Sequence, residues 1–135
     1  MRKSIFCIFA LALLTLVGCE EKHEPYYVLT VYGTVVDEAG EPIQGIHAYP
    51  EGGDFAGREG YANYEGKFGG YAHLAPRNRW VIRFEDVDGE HNRGEYESLS
   101  VDITDKVTPP IEPDEWGYSG SSLVDIGTIV LKRIM

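Results

Sequence analysis

Apolar and polar positions divide the chain into unlike stretches. From Ile5 to Val17 nearly every residue is apolar, with Cys7 and Thr15 the mild exceptions. Beyond that run no stretch keeps a helical period, and Gly and Pro interrupt the pattern every few residues. In Trp80–Glu85, the residues Trp80, Ile82 and Phe84 share a face opposite Arg83 and Glu85. In Ser98–Thr104, Leu99, Val101 and Ile103 oppose Ser98, Ser100 and Asp102. Side chains alternate along a strand, so each segment predicts a strand with one wet face. Tyr27–Val36 is apolar on both faces, which predicts a strand covered on two sides or packed under a neighbour. Gly45–Tyr49, Gly60–Asn63, Lys67–His73 and about Asp125–Arg133 complete seven predicted strands.

Turn chemistry separates them. Asp37–Pro42 reads as a turn with Gly40 at positive φ, and Tyr64-Glu65-Gly66 as a tight turn. Gly52–Gly57 reads as loop. Val107–Ser122 is rich in Pro, Gly and Ser and also reads as loop; Pro109, Pro110 and Pro113 favour extended backbone and forbid a central strand. Short strands with frequent turn signals point to an all-β sandwich or barrel.

The first apolar run has a different meaning. It is 13 residues long, whereas a spanning helix needs about 20. With Arg2 and Lys3 before it and the small Gly18 after it, residues 1–18 read as a secretory signal peptide. Leu16-Val17-Gly18-Cys19 resembles a bacterial lipobox. That resemblance implies cleavage before Cys19, lipid attachment to its sulfur, and acylation (palmitate or a similar chain) of the new amine. Two or more acyl chains give stable anchoring where one is marginal. The competing reading is an ordinary signal peptide with a chance cysteine. Cleavage removes Cys7 and leaves Cys19 alone, so no internal disulfide holds the mature chain. Glu20-Glu21-Lys22-His23-Glu24 resembles the surface-export signal of lipoproteins in Bacteroidota. The expected organisation is therefore a signal peptide (1–18), a lipidated tether (19–25) and one β-domain (26–135). The expected location is the outer membrane, on its periplasmic or cell-surface face.

Charge narrows the partners. The first 18 residues hold two of the 12 Lys and Arg and none of the 22 Asp and Glu, so the remainder carries a formal −12. That argues against nucleic acid, which needs a basic footprint, and against adhesion to anionic headgroups. A cationic partner or a divalent metal is compatible, although most acidic surfaces serve solubility.

The segment "YGTVVDEAGEPIQGIHAYP" resembles the opening of a carboxypeptidase regulatory-like domain. Gly33, Val35, Asp37, Gly40, Pro42 and Gly45 occupy that family's positions, and Asn63, Gly66 and Phe68 fit its second turn, with Tyr64 in place of the usual acid. The resemblance implies a transthyretin-like, seven-stranded Greek-key β-sandwich. Phe84, Asp86, Asp88-Gly89, Gly94, Glu97 and Val101 are similar to a narrower group, the radical-SAM-associated lipoproteins of Bacteroidota. That likeness implies a non-catalytic lipoprotein linked to a radical SAM enzyme, including as its substrate. A single mature cysteine supplies no three-cysteine cluster site.

Candidate sites are few. Asp86, Asp88 and Glu90 form an acidic turn whose oxygens suit calcium, but the twelve-residue helix-flanked loop pattern is absent; an acidic hairpin loop is the plainer reading, and no cofactor is required. His23, His47, His73 and His91 are scattered and lack zinc-motif spacing. "GYSGSS" lacks the strand-to-helix setting of a nucleophile elbow. Tyr64, Trp116 and Tyr118 fall in expected loops, where exposed aromatics anchor partners or stack on sugars. Three functions follow in order: a binding or processed lipoprotein without catalysis; a carbohydrate- or glycan-binding module of an outer-membrane uptake system, which requires Trp116 and Tyr118 to be exposed together; and an enzyme, which requires a cleft where His47 or His73 meets two carboxylates.

Overall fold

The computed structural model describes residues 23–57, 60–89 and 94–134. The expected signal peptide and Cys19 lie outside the described residues. Six strands form among the described residues: β1 Tyr26–Val36, β2 Ile46–Pro50, β3 Lys67–Leu74, β4 Val81–Asp86, β5 Leu99–Asp102 and β6 Tyr118–Val130. Among the described residues there is no α-helix, only a 3-10 turn at Thr104–Lys106. The fold is all-β, in two three-stranded sheets ordered β3-β1-β6 and β2-β4-β5. Six of the seven expected segments form strands. The seventh, Gly60–Asn63, contributes an isolated bridge between Tyr61 and His47, with Ala48 N donating to Gly60 O and Ala62 N to Ile46 O.

The long strand β1 is central to its sheet, antiparallel to β3 and parallel to β6. Tyr27, Leu29 and Val31 point into the core and are fully buried, while Tyr26, Val28 and Thr30 on the opposite face are half-buried. Pairing on both edges satisfies the backbone of β1, while its outer face is only half-covered, with Tyr32 exposed. Parallel pairing cannot be made by a hairpin; here nearly the whole domain intervenes between β1 and β6. The register slips by one residue between Tyr32 and Gly33, where β6 inserts Ile126 and Gly127 turns to φ +79°. Gly33 has no room for a side chain there: a Cβ would strike Ile126 and lie 2.8 Å from Gly127 O.

One hydrophobic cluster joins the two sheets, with Leu29, Phe68 and Val124 from one and Ile46, Ile82 and Phe84 from the other. Phe68 meets Phe84 edge-to-face at 5.3 Å. Each such fully buried side chain contributes roughly 1.5–3 kcal/mol. As the alternation predicted, Trp80, Ile82 and Phe84 are buried opposite half-exposed Arg83 and Glu85. The alternation along β5 and the residue after it is graded: Ile103 is buried, Val101 half-buried and Leu99 exposed at the sheet edge.

The start of β6 departs from the sequence expectation. Gly117–Ser122, expected as loop, enters the sheet from Tyr118 onward. It is held between β1 and the proline-rich segment, for Thr108 N donates to Ser122 Oγ (2.8 Å), and Ile111 N to Ser119 O (2.9 Å). Pro109, Pro110 and Pro113 thus sit on an edge, where a missing N–H costs no ladder bond. Buried Tyr27 ties this segment down: its hydroxyl donates to Thr108 O (2.6 Å) and accepts from the Ser122 hydroxyl. At the other end, Leu131 N donates to Val36 O, and Glu97 N to Lys132 O, so the chain passes from one sheet to the residues leading into β5.

The turns share one construction. In Asp37–Glu41, Asn63–Lys67 and Asp114–Tyr118, the first side chain's Oδ1 accepts the backbone N–H of the third and fifth residues. The fourth residue is glycine at positive φ (+83°, +74° and +91°) and donates back to the first carbonyl. Asp86-Val87-Asp88-Gly89 begins the same way: Asp88 N donates to Asp86 Oδ1 (3.1 Å), and Gly89 has φ +63°. Asn and Asp mimic a backbone acceptor in such turns, and glycine takes the left-handed position without strain.

Candidate functional site

The register of β1 fixes which turns share an end of the molecule. The chain enters at His23, and Tyr26, Tyr118 and the Asp114–Tyr118 turn lie at that end. The Asp37, Asn63 and Asp86 turns lie at the other, where β1 ends and β2 begins. An 11-residue strand spans roughly 35 Å at about 3.3 Å per residue.

At the entry end, Trp116 is 63% exposed. Its ring lies 5.5 Å from His23, while Tyr26 N donates to Gly117 O (2.8 Å). Tyr118 is half-buried, meets Tyr26 edge-on at 6.0 Å and donates its hydroxyl to Ser121 Oγ (3.0 Å). Ile111, in the adjoining proline-rich segment, is 60% exposed. Trp116 and Tyr118 are thus brought to one end, and neither ring is fully buried. Tyr64 is 76% exposed but sits in the turn at the far end, so a compact ligand cannot touch it together with Trp116.

Sequence reasoning missed an aromatic row on the outer face of β3-β1-β6. Tyr26 stacks on His73 (5.1 Å, 22°), His73 meets Tyr71 (5.8 Å), and Tyr118 flanks Tyr26. The spacing of Tyr71 and His73, two apart in one strand, was the available signal; the pairing that brings Tyr26 beside them was not available.

The acidic turn is built around the backbone. Asp86 Oδ1 accepts from Asp88 N, and Oδ2 accepts from Tyr96 N (3.0 Å). Burial, then the neighbouring Asp88 side chain, raise the Asp86 carboxyl above its ordinary value. Glu90, the third acid of the calcium expectation, lies outside the described residues, as does His91. Among the described residues, no three His, Cys, Asp or Glu side chains converge as a metal site.

His47 lies on the outer face of the other sheet. Its Nε2 is 3.0 Å from Asp54 Oδ1, and its ring stacks on Tyr61 at 4.3 Å. Glu85 stands opposite His47 in register but accepts the Tyr49 hydroxyl (2.7 Å). That hydrogen bond, with burial, raises the Tyr49 phenol above its ordinary value. Among the described residues His47 thus has one carboxylate partner, and His73 is flanked by aromatic rings.

A scan against protein-family models finds no match for this chain, and a search of curated proteins finds no similar sequence. No helix among the described residues is long and apolar enough to cross a membrane.

Proposed function

We propose that this chain is a non-catalytic lipoprotein, anchored to the outer membrane through acylated Cys19. It acts as a binding or structural module linked to a radical SAM enzyme, including as that enzyme's substrate, and needs no cofactor of its own. The carrying observation is the lipobox-like Leu16-Val17-Gly18-Cys19, four residues before His23, whose ring packs against Trp116. The β-domain is read as a seven-stranded Greek-key sandwich of the transthyretin-like, carboxypeptidase regulatory-like kind. The shared core of the two sheets and the bridge at Tyr61 support that reading. Intact mass of the protein from its native membrane tests the function. The expected species starts at Cys19 and carries acyl chains, with any mass beyond them marking the partner enzyme's work. An unacylated species starting at another residue would overturn the proposal.

A second reading, glycan binding, is favoured by exposed Trp116 beside half-buried Tyr118. Retention on a glycan panel that Trp116→Ala abolishes is its signature; equal retention of the variant removes it.

A further inference from the structure

The geometry points to a lipid-docking tip: Trp116 and Ile111, flanked by Tyr118, sit in the headgroup layer of a zwitterionic bilayer and hold the domain end-on. This inference rests on the anchored reading above. Both residues are exposed, and both lie at the end where the chain enters the fold. The four residues from Cys19 to His23 extend at most about 14 Å, at ~3.3–3.6 Å each. Each headgroup layer is roughly 5–7 Å deep, half the difference between total and hydrocarbon thickness. Even fully stretched, a tether this short leaves the tip within about 7–9 Å of the outer edge of the headgroup layer.

The chemistry of the tip suits that place. Trp and Tyr rings settle at the membrane–water boundary, with the apolar body inward and the polar edge wet. His23 packs against the Trp116 ring itself, coupling the tether to the tip. The exposed acids Glu24, Glu112 and Glu115 flank it and are repelled by anionic lipid, which selects zwitterionic headgroups. The opposite end carries the acidic turns at Asp37 and Asp86 with exposed Tyr64, and it points away from the bilayer, free for a partner.

The two tryptophans make the test clean, because Trp80 is 3% exposed in the core while Trp116 is exposed. Residues 19–135 contain every residue of the hydrophobic cluster, and their one cysteine couples to a maleimide phospholipid in phosphatidylcholine vesicles containing brominated lipid. Fluorescence quenching is expected in the parent and lost in Trp116→Phe. It stays absent when Tyr64→Trp is added to Trp116→Phe, which moves the reporter to the far end. Replacing part of the phosphatidylcholine by an anionic lipid weakens the parent's quenching. Equal quenching at both ends, quenching only at the far end, or none at Trp116 overturns end-on docking. Chemical coupling imposes the anchor, so a native chain without acyl groups fails the intact-mass experiment and leaves this result standing.

Discussion

Removing one oxygen from Tyr27 tests how the proline-rich segment is held. The Tyr27 ring is buried against Trp80 at 4.6 Å, and its hydroxyl is bonded to Thr108 O and Ser122 Oγ. Tyr27→Phe keeps the ring contacts and leaves both partners short of a hydrogen bond in a partly buried place. The expected cost is about 1–3 kcal/mol. With a urea m-value of about 1–1.5 kcal/mol/M for a domain of this size, the midpoint falls by about 0.7–3 M at unchanged m. Urea titration followed by Trp80 fluorescence in a Trp116→Phe background reads this directly. Ser122→Ala removes part of the same network, so the double variant costs less than the sum of the singles. A midpoint shift below about 0.3 M, or strictly additive singles, would refute the reasoning, since hydrogen-bonded neighbours couple.

Two further predictions follow from the turns. Gly40 and Gly66 hold equivalent positions at φ +83° and +74°, but a Cβ on Gly40 meets nothing, whereas one on Gly66 strikes Val35 O and lies 3.1 Å from Pro42 Cβ. Gly40→Ala therefore costs about 1–2 kcal/mol of backbone strain, and Gly66→Ala adds about 1–3 kcal/mol of overpacking; equal melting temperatures would contradict this. Burial and Asp88 raise the Asp86 carboxyl, so the folded state keeps that proton to higher pH than the unfolded chain. Its contribution is full below the unfolded pKa and is lost as pH rises through the folded one. Asp88→Asn removes one cause of the rise, so the variant loses less stability than the parent as pH rises above the ordinary aspartate value of about 4; urea midpoints falling equally in both chains would count against the coupling.

Local alternation was legible where one face of a strand is wet. Trp80–Glu85 shows this best, since charged residues marked the outside. Gly40 was legible as a left-handed turn residue because the Asp37–Pro42 stretch is short and polar. The start of β6 was not, because Gly117–Ser122 has a loop's composition and becomes a strand only through distant partners, Tyr26 and Thr108. Nor was the parallel pairing of β1 with β6, which depends on residues some ninety positions apart. The acidic Asp86-Val87-Asp88-Gly89 stretch drew attention as a cation site, yet it repeats the Asx-x-x-Gly spacing of three other turns. That recurrence was present in the sequence and gives each of those side chains a backbone role. Tyr64, Trp116 and Tyr118 were visible as loop aromatics, but only the direction of β1 separates Tyr64 from the others.

The most direct measurement of the central claim is detergent phase partitioning of the parent against Cys19→Ala, expressed in a bacterium that acylates lipoproteins. The parent should enter the detergent phase and fractionate with membranes, while the variant stays aqueous with the same strand-rich circular dichroism spectrum. Equal partitioning of the two proteins would contradict lipid anchoring at Cys19.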